Sequence, residues 1–320
     1  MKISLRQLIV TLAAILISSQ LFAGTPPRFY LKSLVGGNAV PVIASSMSGN
    51  INPLHTNVVI EGSSFEAEVT MAGYAKSTTL FDKAAILAVL VPMGRVSGEG
   101  SLLGQTFKSS ANGFGDPTLE LVVNLAGPNP IRNIPDMLRY EPGFSLDVLV
   151  DVVFPLGEYD DKELVNLGQN RWFGRVAFPM TWQIGQWIPG QRTTLELLPS
   201  LWVYGDNDDF LGNDLSTDPK FELEAHLTRD FTKDVWASFD AVYMKGGEST
   251  THGMEGEEID SLSIGFTVGY QINDNLALTM GYSSSINDND PMDVDMDAFT
   301  ISVIFGWHKL IEGMNRLGGE

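Results

Sequence analysis

The chain has 320 residues, no cysteine, 32 glycines, 44% hydrophobic residues and a formal charge of −19. Disulfide and thiol chemistry are excluded, and the negative charge disfavours nucleic-acid phosphates as partners. Past the N-terminus no segment approaches the roughly 20 apolar residues of a membrane helix, so any crossing of a bilayer must be made by strands.

Residues 1–23 read as a secretory signal peptide: Lys2 and Arg6 precede the apolar run Leu8 to Ile17, followed by Ser18, Ser19 and Gln20, with cleavage expected after Ala23. The remainder, 24–320, reads as one domain with a short C-terminal tail at 308–320. Alternating or apolar runs predict about twelve strands, at 34–47, 64–80, 83–93, 115–124, 143–154, 172–183, 192–204, 219–230, 235–244, 261–271, 276–284 and 298–307. Connections after the second, eighth and tenth strands are short, as in Phe81-Asp82-Lys83 and Ile272-Asn273-Asp274-Asn275. Those after the odd-numbered strands are long and rich in Gly, Asn, Asp and Ser. This rhythm predicts an all-β, antiparallel transmembrane β-barrel with long extracellular loops and short periplasmic turns. Leu125 to Pro142 is long where a short turn is expected, and its Pro and apolar residues suit a segment lying across the periplasmic mouth.

The last strands carry the pattern most cleanly. Leu262, Ile264, Phe266, Val268 and Tyr270 alternate with Ser263, Gly265, Thr267 and Gly269. Successive strand side chains point to opposite faces. Small residues would make a poor core, so the apolar face is expected to look outward toward lipid. Closure is also required, because an open sheet edge in lipid would leave backbone N–H and C=O groups unpaired.

The other face then lists the lumen: Glu66, Glu68, Glu120, Asp147, Asp151, Glu196, Glu222, Glu224 and Asp240, with Arg175 and His226 as basic partners. Such a lining suits a pore that attracts cations or hydrogen-bonding solutes; it equally suits a polar interior whose carboxylates pair with basic groups from loops. Tyr74, Trp202 and Tyr204 are read as lumen aromatics, and Trp172, Trp182, Trp187 and Trp307 as interfacial girdle residues.

Three stretches, Gly113-Phe114-Gly115-Asp116-Pro117, Pro155-Leu156-Gly157-Glu158-Tyr159-Asp160 and Asn166-Leu167-Gly168-Gln169-Asn170-Arg171-Trp172, resemble the outer-membrane family named for a meta-pathway of phenol degradation. Asp206-Asn207-Asp208-Asp209-Phe210 and Trp236-Ala237-Ser238-Phe239-Asp240 extend the likeness, which covers most of the chain beyond residue 23. Leu156 stands where the family commonly has Thr, and the tail after Trp307 departs from barrels that end on an aromatic strand. The resemblance implies a Gram-negative outer-membrane barrel that passes small, often aromatic or hydrophobic, compounds.

Acidic loops, Asp206 to Asp209 with Asp214 and Asp218, and Asp288 to Asp290 with Asp293, Asp295 and Asp297, raise calcium binding, yet neither has the Gly and distal Glu of a calcium loop. Solvated extracellular loops, open to bridging by divalent ions to anionic lipid headgroups, are the plainer reading. An enzyme is not expected: His55, His226, His252 and His308 are scattered, and no nucleophile elbow or metalloprotease motif occurs. The expectation is a porin-like channel for passive uptake, with no metal or cofactor; outer-membrane lipid, lipopolysaccharide and a small solute are its partners. The alternative is a structural or adhesive barrel acting through its acidic loops.

Overall fold

A computed structural model describes residues 24–51, 63–102, 105–251, 253–256, 258–286 and 294–318. The expected signal segment 1–23 lies outside the described residues, as do Asp288, Asn289, Asp290 and Asp293 of the second acidic loop.

The chain forms a closed antiparallel barrel of twelve wall strands. In chain order the wall runs through β1 (Asn38–Gly49), β2 (Ser64–Leu80), β3 (Lys83–Leu102), the broken strand β4 (Gln105–Phe114) and β5 (Thr118–Ala126), and β6 (Phe144–Val153). It continues through the broken strand β7 (Phe173–Ala177) and β8 (Met180–Gln183), then β9 (Thr193–Tyr204). In space β9 pairs with β12 (Lys220–Asp230), followed by β13 (Val235–Gly246), β16 (Ile259–Asn273), β17 (Leu276–Ile286) and β18 (Met296–Trp307), which pairs back on β1. Between β9 and β12 lies the hairpin β10 (Asn207–Phe210) and β11 (Asn213–Thr217); between β13 and β16 lie β14 (Ser249–Thr251) and β15 (Met254–Glu255). These four short strands form a separate sheet at the long-loop end.

The strand expectations hold with four differences in the wall and one outside it. β1 begins at Asn38 because Gly36, at φ +95°, turns the chain before the wall starts. β3 runs on to Leu102 and pairs with β4, where the Ser-, Gly- and Asn-rich composition suggests a long loop. The fourth wall strand breaks at Gly115-Asp116-Pro117, where proline lacks a ladder donor. The sixth breaks at Phe178-Pro179, whose carbonyl accepts the Asp147 N–H at 2.8 Å. The small sheet was not expected, since strands of two to five residues carry no readable period.

Alternation decides which side faces out. Leu262, Ile264, Phe266, Val268 and Tyr270 are 39–57% exposed while Ser261, Ser263 and Thr267 between them are buried. β18 repeats the arrangement with Phe299, Ile301, Val303 and Phe305 outward. At the rims Phe154 meets Trp172, Phe144 meets Trp182, and Phe305 meets Trp307 at ring distances of 5.0, 5.1 and 5.7 Å. Trp187 departs from this girdle: it lies edge-on to Tyr140 at 6.3 Å, beneath the Arg192 guanidinium, in the layer that closes the short-turn end.

That layer contains the long connection between β5 and β6, as its composition suggested. Its helix α1 (Ile134–Leu138) is capped by Asn133, whose side chain accepts the Asp136 N–H at 2.9 Å. Ile131, Met137 and Tyr140 pack there with Leu34 and with Ile311 of the tail helix α2 (Lys309–Gly318). Four sequence-distant segments, Trp187 included, thus meet across one mouth of the barrel.

Candidate functional site

The described part of the N-terminal segment, residues 24–37, runs inside the barrel from mid-height down to the short-turn mouth. Phe29, Tyr30 and Leu31 are buried, with the first two against Ile43, Met71, Leu90, Leu149 and Leu198 of the wall. The opposite side of the segment is polar and meets the carboxylate strip. Glu224 accepts from the Thr25 N–H and, at 2.9 Å, from its hydroxyl. Glu196 accepts the Arg28 N–H at 2.7 Å; the Arg28 guanidinium pairs with Asp230 at 2.6 Å, donates to Thr228 at 3.0 Å and lies 4.7 Å from the Trp236 ring. Asp230 is held from its other oxygen by Arg192 at 2.7 Å. At the mouth Lys32 donates to the Pro128 carbonyl at 3.0 Å.

Most of the expected lumen residues do point inward: Glu120, Asp147, Asp151, Arg175, Glu196, Trp202, Glu222, Glu224 and His226 are all buried, and the Asp240 side chain is 13% exposed. Seven of them, Asp151, Arg175, Trp202, Glu222, Glu224, His226 and Asp240, form one network, with His226 Nε2 3.8 Å from Glu224; Asp147 instead bonds Asn124 at 2.8 Å, and Glu196 accepts from Thr194 at 2.6 Å. Arg175 bonds Asp151 at 2.8 Å and approaches Glu224 and Glu222 at 3.4 and 3.7 Å, with the Trp202 ring 4.9 Å from its guanidinium. His226 Nδ1 lies 2.8 Å from Asp240, which also accepts from Ser238 and Thr267. The strip therefore does not line open water. It is covered by the segment it binds, and Arg28, a cation from outside the wall, is the partner that strand alternation could not supply.

Two expected lumen carboxylates and one aromatic are placed wrongly by alternation. Glu66, Glu68 and Tyr74 are on the exposed face of β2, and Phe65, Ala67, Val69 and Met71 point inward. Beyond the apolar belt the outer surface is polar, so charge there no longer marks the inside. Glu68 pairs across the ladder with Arg95, which is also exposed. The inward residues at this height build an apolar layer inside the barrel. Met47, Phe65, Val96, Met244, Ile259 and Met296 surround Val165 and Leu167 of the loop between β6 and β7, which folds in from the long-loop end.

The three sequence stretches that mark the family meet above this layer. The Asp116 carboxylate accepts the Gly157 N–H at 2.8 Å and the Gln169 N–H at 2.7 Å. Phe114 O accepts the Glu158 N–H at 2.7 Å, and Glu158 O accepts the Gly168 N–H at 2.9 Å. A Cβ on Gly157 would lie 2.6 Å from the Gly115 carbonyl carbon, and one on Gly168 would lie 2.8 Å from that of Gly157, so only glycine permits this approach. Arg171 donates to Thr217 at 2.7 Å and lies over the Tyr204 ring. Asn207 of the first acidic loop bonds Tyr159 and the Gln169 carbonyl at 2.9 and 3.1 Å. These residues tie the inward loop to the small outer sheet.

Across from the carboxylate strip, β16, β17 and β18 present Ser263, Gly265, Thr267, Thr279, Gly281 and Ser302 to the interior. Between this wall and the N-terminal segment lie two cavities of about 50 and 60 Å³, the second lined by Pro27, Phe29, Leu31, Trp236 and Leu278.

The family model described as "Putative MetA-pathway of phenol degradation" matches residues 48–291. Among solved structures, an outer membrane channel from Pseudomonas putida F1 aligns with a TM-score of 0.68 at 18% identity, covering 86% of this chain and 97% of that one. The transport unit of the autotransporter AIDA-I from Escherichia coli aligns at 0.49 and 7% identity, over 84% and 90% of the two chains. The KdgM porin aligns at 0.43 and 9% identity, over 84% and 99%. No curated protein matches the chain.

Proposed function

The chain belongs to the family "Putative MetA-pathway of phenol degradation", and from that premise we propose that it is a Gram-negative outer-membrane channel for small apolar, including aromatic, compounds. The observation that carries this reading is the apolar layer inside the barrel, where Met47, Phe65, Val96, Met244, Ile259 and Met296 converge. A water-filled pore has a polar interior. A layer of apolar side chains repels hydrated ions and sugars but solvates an aromatic ring, and Met adapts its shape to varied solutes.

Below that layer the solute meets the smooth wall of β16 to β18 on one side and Pro26, Pro27 and Phe29 on the other. The cavities there are smaller than the ~150 Å³ void known to take up benzene. Passage therefore requires the N-terminal segment to shift, and the segment's polar side, held by Glu196, Glu224 and Asp230, is the side that must let go. The carboxylates thus set how firmly the path is closed, and charge selection is secondary.

The reading is tested by uptake of a labelled monoaromatic and a labelled sugar in a strain lacking the gene and in the same strain complemented. Complementation should raise entry of the aromatic only. Equal aromatic entry in both strains would favour a structural or adhesive barrel, and restored sugar entry would favour a general porin.

A further inference from the structure

The segment inside the barrel has its upstream end at mid-height. Gly24 lies against the inner faces of β12 and β13: a Cβ there would be 2.8 Å from a Glu224 oxygen and 3.2 Å from Val242. Thr25, the next residue, gives both its N–H and its hydroxyl to the same carboxylate. From Gly24 the chain descends to Leu34, which bridges Ile131 at the short-turn mouth. Above Gly24 the interior is filled by the apolar layer to which Val242 and Met244 belong. The cavity beside Gly24 is about 50 Å³, lined also by His226, Asp240, Ser263 and Thr267.

Charge points the same way. The buried interior contains Glu120, Asp147, Asp151, Glu196, Glu222, Glu224, Asp230 and Asp240. Against them stand Arg28, Lys32, Arg171, Arg175, Arg192, Lys220 and, when protonated, His226. Carboxylates outnumber cations. A buried charge is tolerated when it is paired and hydrogen-bonded, so a further cation at this height would relieve the excess.

We infer that removal of the leader at the Ala23–Gly24 bond creates that cation: the α-ammonium of Gly24 is an internal ligand of the Glu224–His226–Asp240 cluster, and the new chain end docks inside the barrel as its last polar contact. In the step itself water adds across the peptide bond under a secretory peptidase, leaving a carboxylate on Ala23 and an ammonium on Gly24. An α-amino group titrates near 7.7–8.0 when free, so it is mostly cationic at neutral pH and is held so by adjacent carboxylates. Closure of the lumen is thereby tied to completed export, because the uncleaved chain has no end to place there.

The test uses protein purified from outer membranes. Terminal sequencing and intact mass should give Gly24 as the first residue. Reductive methylation, read on the N-terminal peptide, should modify the α-amine at least about tenfold more slowly in the folded barrel than in urea, as expected of a group exposed only by local opening. A variant with Gly-Ser-Gly-Ser inserted directly after Ala23 carries its α-amine past the seat and should react at nearly the unfolded rate. A second variant, Glu224→Gln, should raise labelling of the native end if it folds. A different first residue would overturn the inference. So would equal folded and unfolded labelling of the parent, or full protection in the insertion variant.

Discussion

At the scale of single residues, two side chains decide more than their type suggests. Asp116 holds two loop N–H groups with its two oxygens, those of Gly157 and Gln169. Asp116→Ala should cost about 1–3 kcal/mol for each donor left unsatisfied, measured as a lower unfolding midpoint in detergent, with Asp116→Asn between the two. A midpoint unchanged by the alanine would mean that the loops are held by their glycine contacts alone. Lys32 is the second case. Burial pulls its ammonium down to about 8 from an ordinary 10.5, with Asp147 opposing the shift and Lys83 adding to it. Between those values the unfolded chain binds more protons than the folded one, so stability attributable to this group rises with pH. Urea midpoints of the native protein should therefore gain on those of Lys32→Met between pH 8 and 10.5; parallel pH profiles would show that Lys32 is not desolvated at the mouth.

At the scale of elements, the N-terminal segment differs from the strands around it in how it is held. A wall strand has a hydrogen-bonded neighbour on each side, whereas residues 24–33 are tied mainly through side chains, with Phe29 and Tyr30 on the apolar side and Glu196, Glu224 and Asp230 on the polar side. Deleting residues 24–33 should leave a folded barrel with raised ionic conductance in planar bilayers, and with a lower melting temperature because buried carboxylates lose their partners. A deletion that folds and conducts no better than the parent would mean that the inward loop carrying Val165 and Leu167 is the tighter barrier. Such a segment leaves little periodic trace in sequence: Thr25-Pro26-Pro27-Arg28 has no two-residue alternation, and its basic residues, Arg28 and Lys32, are not marked by any strand pattern. The same holds for the family stretches, whose glycines are contact points between loops.

At the scale of the whole molecule, the outward belt is what commits the barrel to lipid. Phe266 is 57% exposed in the middle of β16, with Phe239 opposite it on β13 and Tyr282 on β17. Phe266→Arg should destabilise the barrel by about 2–4 kcal/mol if the site lies near the bilayer midplane, read from urea unfolding in lipid vesicles, while Ser263→Thr on the inner wall should have little effect. If arginine at 266 were tolerated without loss, the belt would not be buried in hydrocarbon at that height. The twelve-strand count, the alternation of long and short connections, the outward faces of the later strands and most of the inward acids were all legible in sequence. Each follows from a local rule, the two-residue period of a strand, that holds wherever one face meets a uniform environment. Only the tertiary structure decided that Glu66, Glu68 and Tyr74 face out, that residues 24–37 occupy the lumen and that Asp116, Gly157 and Gln169 meet. Those outcomes depend on which distant segments share a height in the barrel, a relation set by closure of the ring and recorded in no local pattern.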